Sequence, residues 1–155
     1  MDPIVNPAID GVHLTPLAEI ETPEGAVLHF VRGMEAIGSF GEVYFSEVHP
    51  GVVKAWKLHK RQKQNFCVPV GRIFLVLYDD RHDSPTRGTI SQLSLGRPDA
   101  YCRLTIPHGI WYGFKGSAPA TSLICNVTDI PHDPAEAVKM PIHGSSIPFN
   151  WDQSS

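Results

Sequence analysis

Apolar and polar residues alternate in short runs along this chain, and turn residues punctuate the runs. The pattern predicts strands over residues 26–32, 42–48, 52–59, 65–70, 72–78, 89–95, 101–106 and 120–128. Turn signals separate them at His49-Pro50-Gly51, Asp79-Asp80-Arg81, Ser84-Pro85-Thr86, Gly96-Arg97-Pro98, Pro107-His108-Gly109 and Gly116-Ser117. Only residues 134–139 read as a helical turn. Short strands at this spacing predict an all-β sandwich or barrel, with a jelly roll the leading form. Residues 72–78 are apolar on both parities, which predicts a central strand covered on both faces. In residues 52–59, alternation puts Val53, Ala55, Lys57 and His59 on one face and Val52, Lys54, Trp56 and Leu58 on the other. Periodicity alone leaves open which face is wet.

The chain has 155 residues, the size of a single domain with a real core. The stretch to about Gly25 is Pro-rich and irregular, and reads as an N-terminal arm or an edge strand. Charged residues are 19% and apolar residues 42%, which excludes a disordered chain and a charged coiled coil. A net charge of -3 gives no basic footprint for nucleic acid or for an anionic membrane. Cys67, Cys102 and Cys125 are odd in number, form no CxxC pair and lie in apolar stretches, so they are expected to be reduced and buried. The start of the chain has no basic region leading into an apolar run, and no stretch is long enough to span a bilayer. The expected location is the cytoplasm.

The segment from Gly51 to Gly71 changes the picture. Its Gly51, Lys57-Leu58-His59, Gln64 and Gly71 keep the gaps of the first cupin motif, and Pro107-His108-Gly109-Ile110-Trp111-Tyr112 keeps part of the second. The chain therefore resembles a cupin, a double-stranded β-helix or jelly-roll barrel, and the resemblance turns Lys57 and His59 inward. Three of the four usual ligand places hold Lys57, Gln64 and Tyr112. An ammonium repels a cation and a carboxamide replaces a carboxylate poorly, so no metal and no cofactor are expected.

A closer likeness runs through Glu42 to Ser46, Pro50 to His59, Asp79-Asp80-Arg81, Ser84 to Gly88, Ile106 to Gly109 and Tyr112-Gly113-Phe114. In order and spacing these resemble the metal-free dTDP-4-dehydrorhamnose 3,5-epimerases. The resemblance implies a homodimer, with an exchanged N-terminal strand, and a nucleotide-linked 4-keto sugar as ligand. Chemistry of this kind needs a base beside the carbon next to the ketone, a donor on the enolate oxygen, and an acid across the ring.

The match departs where the chemistry is done. Lys57 stands at the place of the catalytic His, with His59 two residues later. Gln64 stands at the enolate-binding Lys with Lys63 adjacent, Tyr112 replaces a His, and the Tyr near Ile124-Cys125-Asn126 is missing. The carboxylate that orients the base is also expected to be missing, because His143-Gly144-Ser145 lies in its place. Three readings stay open. A divergent epimerase would use Lys57 as base, His59 as proton shuttle, Gln64 as oxyanion donor and Tyr112 as acid. A binding protein would keep Lys57 charged as an anion clamp. A polar core would hold no ligand. Lys54, at the place of a diphosphate-binding Arg, is a candidate for substrate binding with Lys63, Arg81 and Arg103. Arg81 reads first as an ion pair with Asp79 stabilising its turn, and alternatively as a phosphate contact.

Overall fold

A computed structural model of the chain describes residues 7–153. The strands are β1 (His13–Pro16), β2 (Glu19–Ile20), β3 (Val27–Leu28), β4 (Glu42–Val48), β5 (Val53–His59), β6 (Gln64–Val70), β7 (Arg72–Asp79), β8 (Ile90–Gly96), β9 (Cys102–Ile106), β10 (Ile110–Gly116), β11 (Ser122–Thr128) and β12 (Ala137–Lys139). Two five-stranded antiparallel sheets face each other. Sheet one runs β1-β9-β6-β11-β4 and sheet two runs β12-β5-β10-β7-β8. Every strand but β2 and β3 belongs to one of them, which is the jelly-roll architecture of a cupin.

The sequence pattern explains most of this. β7 is apolar on both parities because it is central in sheet two and covered twice. Its Ile73, Leu75 and Leu77 enter the core between the sheets with Phe66, Leu104, Ile106, Phe114 and Ile124. Its Val76 points the other way, into a second core with Trp56, Trp111, Ile147 and Trp151. The C-terminal segment supplies that second layer. On sheet one, Leu17, Leu28 and Phe30 pack over Cys67, Cys125 and Tyr101. All three cysteines are free and buried.

Several boundaries differ from the expectation. The strand expected at 26–32 shrinks to Val27–Leu28, which pairs only with Glu19–Ile20. The N-terminal stretch contributes an edge strand: β1 lies against β9 of the same chain. The part of that stretch in residues 1–6 lies outside the described residues. β10 was not expected, because Ile110 to Gly116 is buried almost throughout and carries no alternation. The helical turn at 134–139 is a 3-10 turn at Pro134–Glu136 that continues as β12.

One irregularity positions the site. Tyr112 pairs with Lys57 and Phe114 with Lys54, so β5 holds one more residue than β10 between these pairs. The bulge reverses the parity of Lys54. Strict alternation sends Lys54 to the face opposite Lys57; the structure brings both to the same cavity.

Candidate active site

Two rungs of side chains face each other between the sheets. On sheet two, Lys139, Lys57 and Tyr112 stand directly opposite one another on β12, β5 and β10. On sheet one, Tyr44, Asn126 and Phe66 do the same on β4, β11 and β6. These six residues, with Lys54, Ser46, Phe114 and Ile124, line a cavity of about 430 Å³. Among the described residues, three lysines line it and no carboxylate does. Among the described residues, no three His, Cys, Asp or Glu side chains gather as a metal ion would require.

His59 follows Lys57 on the same face of β5, is 3% exposed, and does not line the cavity. Its Nδ1 is held by Glu136 Oε1, and its Nε2 lies 3.1 Å from the Tyr112 hydroxyl. The Glu136 Oε2 accepts the backbone N–H groups of Arg61 at 3.1 Å and Gln62 at 3.2 Å. Burial alone raises the Glu136 carboxyl, but the bonds from His59, Arg61 and Gln62 outweigh it and hold the group below its ordinary value. Burial lowers His59, and the contact with Glu136 only partly offsets this. A carboxylate beside a neutral imidazole fixes the tautomer: Nδ1–H donates to Glu136, and the Nε2 lone pair is left to accept from Tyr112.

Across the cavity, Asn126 Nδ2 donates to the Tyr44 hydroxyl at 2.8 Å. The phenol oxygen is thus an acceptor, and its own proton remains to be given. Asn126 is held in turn by Gln64, whose Nε2 donates to Gln62, while Gln62 Nε2 donates to the Ile130 carbonyl at 2.8 Å. Burial raises both phenols, Tyr112 well above its ordinary value. Lys57 is half-buried and lowered, first by desolvation and then by the neighbouring Lys139 ammonium, with Glu136 opposing.

The residues singled out in the sequence divide into two groups. Lys57, Lys54 and Tyr112 line the cavity, and His59 backs Tyr112. Lys57 and Tyr112 are cross-strand neighbours on one wall, so they do not serve as base and acid on opposite faces of a ring. Gln64 is buried with its amide spent on Gln62 and Asn126, so it is not an oxyanion donor. Lys63 leads into β6, away from the lining, and its backbone N–H binds Asp129 at 2.7 Å. Arg81 is committed to Asp79, with Nε to Oδ1 and Nη2 to Oδ2 both at 2.9 Å. Arg103 donates to the Phe30 carbonyl at 3.3 Å, on the face of sheet one turned from the cavity. The orienting carboxylate expected to be absent is present as Glu136.

Glu136, Lys139 and Tyr44 were missed. Glu136 is 77 positions from its imidazole partner, and no local spacing links them. Its one signal is an acid set among Ala135, Ala137 and Val138. Tyr44 shares parity with Ser46 in an alternating strand, and that parity is the inward one.

Known proteins share this sequence pattern and fold. The dTDP sugar isomerase of Desulfovibrio desulfuricans G20 is 44% identical, with 98% of each chain covered and a TM-score of 0.94. The spore coat polysaccharide biosynthesis protein SpsL of Bacillus subtilis is 31% identical over 93% of this chain and 97% of its own. The chain belongs to the dTDP-4-dehydrorhamnose 3,5-epimerase family. At 18% identity, the dTDP-4-dehydrorhamnose 3,5-epimerase of Bacillus anthracis shares the fold, with a TM-score of 0.82 over 99% of this chain and 91% of that one. No family model matches the sequence. Within the epimerase family this is a divergent member, in which Lys57 faces the cavity and the buried imidazole is His59.

Proposed function

We propose that the chain is a nucleotide-sugar epimerase, which removes and returns a proton next to the ketone of a nucleotide-linked 4-keto-6-deoxy sugar. The observation that carries this is the pair of facing rungs. Inversion requires proton carriers on opposite faces of the ring, together with a cation or donor at the carbonyl oxygen. Sheet two offers Lys57 and Tyr112, and sheet one offers Tyr44 with its phenol proton free to give. Lys54 and Lys139 add positive charge for a diphosphate, although Lys54 is already bound to the Ser46 hydroxyl at 3.3 Å. The dTDP sugar isomerase at 44% identity supports a nucleotide-linked sugar as the ligand.

The same reading makes the enzyme metal-independent, cytoplasmic and homodimeric. The exposed apolar residues Val43, Phe45 and Val70 on sheet one suit a face shared between two copies. Sedimentation of wild type and Phe45→Lys tests it: a dimer that becomes a monomer on substitution supports it, and a monomeric wild type refutes it.

NMR in deuterated buffer with a panel of nucleotide-linked 4-keto sugars tests the activity. Deuterium should enter at C3 or C5 and fail to enter with Lys57→Ala. Tight binding without exchange across the panel would refute turnover.

A further inference from the structure

We infer that Tyr112, and not Lys57, takes the proton from the sugar carbon, passing its own proton to a buried His59–Glu136 pair, while Lys57 holds the enolate oxygen. The inference rests on the epimerase reading and divides the labour on one wall of the cavity.

The argument begins with access. Of the three linked groups, only Tyr112 lines the cavity. His59 is buried, with one ring nitrogen on Glu136 and the other 3.1 Å from the Tyr112 hydroxyl. A buried imidazole oriented by a carboxylate, with its free lone pair on a hydroxyl at a cavity wall, is the arrangement that activates a hydroxyl in nucleophilic enzymes. Here it serves a phenol. The two backbone N–H groups on Glu136 Oε2 fix the carboxylate, so the ring has one orientation and one outlet.

Lys57 has a different setting. It faces Lys139 directly across β5 and β12, and two ammonium groups opposite each other favour an anion between them. An ammonium donates and does not accept. Beside a developing enolate it supplies charge where charge appears.

The proton balance is complete within the chain. The C–H bond next to the ketone breaks, and its proton goes to the Tyr112 oxygen as the Tyr112 proton moves to His59 Nε2. The C–H electron pair becomes the enolate double bond, and the carbonyl pair moves onto the oxygen held by Lys57. Tyr44 gives its proton to the opposite face of the carbon. Exchange with water then restores Tyr44 and His59.

The test compares wild type with Tyr112→Phe, Glu136→Gln, Glu136→Asp and Lys57→Ala, using a dTDP-linked 4-keto-6-deoxyhexose. Deuterium wash-in is followed as kcat and KM against pH. Tyr112→Phe should lower kcat by about 100- to 10,000-fold, the range of a lost acid–base group, with KM little changed. His59 must be neutral to accept, so activity is lost as pH falls through its pKa. The titratable groups around it are Glu136, Tyr112, Lys57, Lys139 and His132. Removing the Glu136 charge removes an influence that raises His59, so the acid limb should move to lower pH in Glu136→Gln and partly return in Glu136→Asp. A merely structural Glu136 would leave that limb in place. Nitrogen-15 NMR of the free protein should show His59 protonated at Nδ1, and protonation at Nε2 instead would overturn the relay without any substrate. Wash-in that survives Tyr112→Phe within tenfold would overturn this inference alone. Wild type that washes in no deuterium would overturn the epimerase reading and this inference with it.

Discussion

The neighbouring ammonium of Lys139 makes Lys57 an unusual lysine. Desolvation and Lys139 both push its pKa down, and a more acidic ammonium is a stronger donor to an enolate oxygen. Lys57 must be charged in this role, so activity is lost as pH rises through its lowered pKa. Replacing Lys139 with Gln removes one lowering influence, and the alkaline limb of kcat should move upward; an unmoved limb would separate Lys57 from turnover. His59 and Glu136 give a second pH dependence, in stability. Burial holds His59 below its unfolded value of about 6.5, so the neutral ring contributes stability above that pH and loses it as pH falls through the folded pKa. Glu136 is also lowered, so its contribution is present above its unfolded value and is lost on further acidification. The melting temperature of wild type should decline below pH 6.5 and again below about 4.3. His59→Gln should remove the first decline and leave a flatter profile there.

At the scale of the strand, the site depends on the extra residue in β5. A Cβ on Gly113 would lie 2.5 Å from the Ala55 Cβ and 2.9 Å from the Trp151 ring, directly against that bulge. Gly113→Ala should therefore destabilise by about 1–3 kcal/mol, as overpacking does, and should reduce kcat as well because Lys54 and Lys57 flank the disturbed residues. Unfolding in urea measures the first effect and wash-in the second; full stability and activity together would mean the bulge shifts freely. The same bulge marks the limit of what the sequence made legible. Strand positions and turns followed from alternation and from Gly and Pro, and the cupin resemblance of Gly51 to Gly71 and of Pro107 to Tyr112 pointed to Lys57, His59 and Tyr112, which the pairing of β5 with β10 brings to one wall. A parity argument for Lys54 failed because one inserted residue reverses parity. β10 escaped because burial on both faces leaves no alternation, and Gly113 and Lys115 interrupt the unbroken apolar run that makes β7 legible. Glu136, Tyr44 and Lys139 escaped because strand pairing brings them to partners more than 75 positions away in the chain, and such cross-strand contacts leave no local period.

On the scale of the whole molecule, charge and packing are both layered. The chain carries a net charge of -3, yet among the described residues its cavity is lined by three lysines and no carboxylate. Low-dielectric walls focus that local positive field on an anion while the outer surface stays acidic. Behind the cavity wall lies the second core, closed by the C-terminal segment. Trp56 sits on β5 between Ala55 and Lys57, pointing outward, and is 1% exposed only because the C-terminal residues cover it. Trp151 lies against it with ring centroids 5.2 Å apart, and Phe149 meets Trp151 at 4.9 Å. The strand that carries the site is thus clamped between the cavity on one side and an aromatic cover on the other. Trp151→Ala should remove about 3–5 kcal/mol of stability, the cost of deleting a large buried aromatic side chain. Its effect on function should follow from β5: with Trp56 uncovered, the bulge loses its outer support, and kcat should fall even at temperatures where the protein remains folded. Equilibrium unfolding and wash-in on the same preparation measure both. A loss under about 1 kcal/mol with unchanged kcat would mean that the cover is ornamental to β5, and that the cavity wall holds its shape from sheet two alone.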